Sequence, residues 1–130
     1  ANEVAKGAYI LKAASSKAKV TLIATGSEVS LALDVATALE ARSISTAVVS
    51  APCLEWFDAQ PDSYRTSVLP SDSLKVSIEA GISQGWHRYV GSNGLTISLE
   101  HYGASASAPV LFKEFGFSVE AIVPKIEAAL

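Results

Sequence analysis

The chain has 130 residues, 49% hydrophobic and 18% charged, a balance that supports one globular core and excludes disorder. Ten Lys and Arg against thirteen Asp and Glu give a net charge of −3 with no basic cluster, which disfavours a nucleic-acid partner. The single cysteine, Cys53, excludes an internal disulfide and a cysteine metal framework and fits a reducing, cytoplasmic setting; no apolar run reaches the roughly 18 residues of a membrane span, and no signal peptide opens the chain.

Short Val- and Ile-rich runs alternate with helical patterns, as in an α/β sheet covered on both faces. Ala8 to Leu11 reads as an edge strand and Ser15-Ser16-Lys17 as a polar turn. Val20 to Ala24 is nearly all apolar, as a buried parallel strand should be. Thr25 and Glu28 have capping-box spacing at the start of a helix predicted from Ser27 to Arg42. Its polar stripe is Ser30, Asp34, Thr37 and Ala41, and Arg42 would suit the negative end of its dipole. Thr46 to Ser50 is the next strand, stopped by Pro52. Two short helices follow, Glu55 to Gln60 and Asp62 to Leu69, parted by Pro61 and ended by Pro70. Leu74 to Ile78 is a strand, Gln84 to Val90 an aromatic-rich turn or short helix, and Leu95 to Leu99 a strand after Asn93-Gly94. Pro109 to Phe115 reads as a helix closed by Gly116, and Ser118 caps a last helix towards Leu130. Pro124 inside that helix should kink it or delay its start.

Several residues invite a chemical reading. Thr25, Gly26 and Ser27 lie between strand and helix, where free amides attract anions. An ordinary capped turn uses the same residues, and neither a GxGxxG nor a GxxxxGK[ST] is present. His87 and His101 are of the residue type that serves proton transfer near neutral pH, but neither has a metal-ligand partner at useful spacing. Cys53 lacks a visible base, and spacing alone does not pair Glu55, Asp58, Glu79 and Glu100. The aromatics exceed what a small core needs, so Trp86, His87, Tyr89, His101 and Tyr102 are candidate interface residues. Tyr64 with Arg65 is another candidate pair.

Four ordered strings carry a family resemblance. Ile23 to Val29 is similar to the strand-to-helix turn opening the transketolase C-terminal domain. Phe57-Asp58-Ala59-Gln60 with Tyr64 to Pro70 resembles a second segment of that family. Glu79-Ala80-Gly81 with Trp86 and Tyr89-Val90-Gly91 resembles a third. Gly103 to Ala106 with Pro109, Leu111-Phe112 and Phe115 to Ser118 resembles a fourth. Cys53 to Phe57 and Ile97 to Tyr102 look like bacterial versions, whereas Pro124 departs from the family pattern.

The resemblance implies a three-layer α/β/α sandwich whose five-stranded sheet is mostly parallel with one antiparallel edge strand. It implies a single domain over residues 1–130, cut from a longer chain that moves a two-carbon ketol unit between sugar phosphates in the pentose phosphate pathway. Thiamine diphosphate and a divalent cation, Mg or Ca, serve that parent enzyme. The family's Gly-Asp-Gly motif is absent here, so no catalytic, cofactor or metal residue carries over. The partners implied are the upstream domains and a second copy in a homodimer, with no nucleic acid or membrane. The role implied is structural, dimer-supporting and open to regulation. Alternatives are the matching domain of dihydroxyacetone synthase, deoxyxylulose-phosphate synthase or a 2-oxo acid dehydrogenase β chain, or a freestanding small-anion module.

Overall fold

The computed structural model describes residues 6–26, 28–79, 87–90, 94–98 and 119–130. The strands are β1 Tyr9–Lys12, β2 Val20–Ala24, β3 Thr46–Ser50, β4 Leu74–Glu79 and β5 Leu95–Ser98. They form one sheet in the order β1-β3-β2-β4-β5. Pairs β2–β3, β2–β4 and β4–β5 are parallel, whereas β1 runs antiparallel along β3. This is the mixed sheet that the resemblance implies. A bulge between Ile10 and Lys12 interrupts the outer ladder.

Helix α1 spans Glu28–Glu40, shorter than the reading to Arg42. Ser30, Asp34, Thr37 and Ala41 are exposed as their spacing predicts, while Ala32, Val35, Ala36 and Leu39 are buried. The helix stops because the Ile44 amide turns back to the Leu39 carbonyl at 3.0 Å. Ser43 takes the left-handed conformation, φ 65°, that this closure needs and that glycine usually supplies. Arg42 therefore lies beyond the helix and pairs with Glu127 at 2.8 Å.

Helices α2 Leu54–Asp58, α3 Asp62–Val68 and α4 His87–Val90 precede α5, Val119–Ala129. Pro124 lies inside α5 without delaying its start. Pro124 and Glu120, whose carbonyl loses an amide partner to the proline, are both exposed.

The side-chain period of two sends alternate residues of each strand to opposite faces. Leu22, Val48, Val76, Ile78 and Ile97 meet α1 and α5, through Ile122, Val123 and Ile126, in one core. Ile23 and Val49 meet Phe57, Val68 and Val90 in a second. Gly7 (φ 86°) fixes the chain's entry to the second core. A side chain there would strike the backbone of Cys53 and Phe57.

Candidate functional site

The parallel register sets Thr21 beside Lys75 and Ile23 beside Ser77, then Ser77 beside Thr96. Thr21, Ile23, Lys75 and Ser77 share the second face of the sheet. That face is apolar on β3 and at Ile23 of β2, and turns polar on β4 at Lys75 and Ser77. The signal is in the sequence: Leu74, Val76 and Ile78 alternate with Lys75, Ser77 and Glu79, and Leu95 and Ile97 with Thr96 and Ser98. Ser77 carries the consequence, a fully buried hydroxyl with no hydrogen-bond partner among the described residues.

A hollow of about 400 Å³ opens between α2, α3, α4 and the start of β4. Phe57 and Leu69 give it apolar wall, and Thr66 and Tyr89 bring hydroxyls. Asp58, Asp62, Arg65 and Lys75 supply two charges of each sign. The Tyr89 hydroxyl donates to Asp58 at 3.1 Å (Oδ1) and 3.0 Å (Oδ2). Arg65 donates through Nη2 to Asp62, one helical turn earlier. Its Nε is buried and has no partner among the described residues. Lys75 Nζ donates to the Pro70 carbonyl at 2.7 Å and the Ser73 carbonyl at 3.2 Å. Burial pulls its ammonium below the ordinary lysine value, with the Asp72 charge opposing.

Of the residues singled out in the sequence, Asp58, Arg65 and Tyr89 line this hollow. Thr25 is half-buried and Gly26 exposed with φ 55°; Ser27 lies outside the described residues. The 5%-exposed Glu28 brings Oε2 to 4.0 Å from the point a Gly26 side chain would occupy, so a carboxylate shares that turn. Trp86, His101 and Tyr102 lie outside the described residues, as do Glu100, the helix from Pro109 and Ser118. His87 opens α4 and its side chain is not described. Tyr89 is half-buried and binds Asp58 within the chain.

Tyr64 also turns inward. Its hydroxyl donates to the Ala8 carbonyl at 2.7 Å, and its ring meets Phe57 edge-on with centroids 6.2 Å apart. Cys53 is half-buried and ties Gly7 to the head of α2 through its amide, 2.9 Å, and carbonyl, 3.2 Å. Trp56 is 54% exposed. No motif signalled Asp62 or Lys75, although the alternation in β4 marks Lys75, and Thr66 lies in the Tyr64 to Pro70 string.

Among the described residues no three of His, Cys, Asp or Glu converge on a point. Asp58 and Asp62 are engaged by Tyr89 and Arg65. This donor set does not fit thiamine diphosphate with its metal. No helix among the described residues is long and apolar enough to cross a membrane.

The model of the transketolase-like C-terminal domain family matches residues 7–118. A transketolase of Mycobacterium leprae is 51% identical over 98% of this chain and 19% of its own length. That of Aquifex aeolicus is 46% identical over 95% of this chain and 18% of its own. The solved transketolase of Leishmania mexicana superposes with a TM-score of 0.88 at 43% identity, over 98% of this chain and 18% of that one. The chain thus spans about a fifth of the length of these relatives. With the family model, the fold and the identities in agreement, the chain belongs to the transketolase C-terminal domain family.

Proposed function

We propose that residues 1–130 form the single C-terminal domain of a transketolase, a cytoplasmic transferase of the pentose phosphate pathway. The parent moves a two-carbon ketol unit from ketose phosphate to aldose phosphate, using thiamine diphosphate and Mg or Ca held upstream of this chain. This domain supports the homodimer and packs on the upstream domains, and alone it has no transferase activity. The observation that carries the reading is the match of 98% of this chain to 19% of a transketolase at 51% identity. The relatives described above are transketolases, not sibling thiamine enzymes.

Calorimetry and a ketol-transfer assay test the reading. The 130-residue chain should give no saturable heat with thiamine diphosphate plus Mg, and no turnover. The parent should do both, and should lose dimer in sedimentation when this domain is deleted. Micromolar cofactor binding by the chain alone overturns the proposal.

A further inference from the structure

The hollow beside β4 has more donors and acceptors than its own hydrogen bonds require. Lysine carries three N–H donors and arginine five. Lys75 gives two to Pro70 and Ser73. Arg65 gives one, through Nη2, to Asp62, and its two Nη groups carry more N–H donors than that bond uses. The Asp62 partner is 89% exposed, and a surface pair of this kind is weak and readily exchanged.

The charge balance narrows the ligand class. A bare anion would sit among Asp58 and Asp62, and a metal cation among Arg65 and Lys75. Among the described lining residues a plain hydrocarbon would find only Phe57 and Leu69. A hydroxyl-rich anion satisfies both signs. Its oxyanion takes donors from Arg65, Lys75 and the Thr66 hydroxyl, and its hydroxyls donate to carboxylates that accept more than one bond. The volume, about 400 Å³, falls in the range of small-molecule sites.

We propose that this hollow is a binding site for a small polyhydroxylated anion, a sugar acid or sugar phosphate, with Arg65 and Lys75 holding the oxyanion. The described lining residues belong to this chain, and the proposal does not rest on the ketol-transfer reading, whose calorimetry uses thiamine diphosphate.

Isothermal titration at fixed ionic strength decides it, with gluconate, glucose 6-phosphate, glucose and inorganic phosphate as probes. Gluconate and glucose 6-phosphate should bind one to one. Glucose and inorganic phosphate should bind at least about tenfold more weakly, since each lacks half of the recognised groups. Arg65→Gln, at a partly exposed position, should keep the fold by circular dichroism and weaken both anions by about tenfold or more. Lys75→Gln should do the same, and Arg42→Gln, on the opposite layer, should change nothing. The proposal falls if neither hydroxylated anion gives saturable heat, if glucose or phosphate binds as tightly, or if folded Arg65→Gln binds as the parent sequence does.

Discussion

Glu40 ends α1 and holds three parts of the chain together. Its carboxylate accepts the Ser15 amide at 3.1 Å, the Ser15 hydroxyl at 2.7 Å and the Thr46 amide at 3.0 Å. The Thr46 amide and then Ser15 hold its pKa below the ordinary 4.5. A depressed carboxylate contributes stability that is present above the unfolded pKa and is lost as pH falls through the folded value. Glu40→Gln removes one acceptor oxygen and the charge. The variant should melt at a lower temperature than the wild type at pH 7, and the difference should shrink as pH falls below the unfolded carboxylate value and vanish once it passes the lower folded one. Equal melting temperatures across that range would show that the clamp adds nothing.

At the scale of elements, legibility followed the physics of each segment. The bounds of β2 and β3 are those of their apolar runs, because burial on both faces removes polar residues from the interior and leaves turn formers outside. Helix ends moved by a residue or more, because they depend on caps such as the Ser43 closure, which composition does not display. The hollow was barely legible. Asp58, Lys75 and Tyr89 come from separate elements and meet only through the sheet register and the α2–α3 bend. Arg65 was legible as an interface candidate beside Tyr64, whereas its Nε, without a partner among the described residues, is a fact of packing. Helix α5 offers a test at this scale. Pro124 removes one helical hydrogen bond on the exposed side, and an interior proline is about 3 kcal/mol worse than alanine. Since α5 forms in full despite it, part of that cost is already met by Ile122, Val123 and Ile126 in the core. Pro124→Ala should raise stability by about 1–3 kcal/mol in urea denaturation. A loss would mean that the proline's rigidity matters more than the missing bond.

For the whole molecule, the two cores share one wall. Each residue of β2 is buried, and successive side chains enter opposite layers, Leu22 towards α1 and α5 and Ile23 towards α2 and α3. Neither core can open without exposing the backbone and half the side chains of the strand that closes the other. The ion pair from Arg42 to Glu127 and the tie from Gly7 to Cys53 add links across the ends of the chain. This wiring makes one cooperative unit, and truncations on opposite faces should act on the same transition. Leu39→Ala on the first core should cost about 2–5 kcal/mol, and Phe57→Ala on the second about 3–5 kcal/mol. In both variants, helix content by far-UV circular dichroism and tryptophan fluorescence should fall together in a single step. Two separated steps in either variant would show that the layers fold independently, and that the central strand does not couple them.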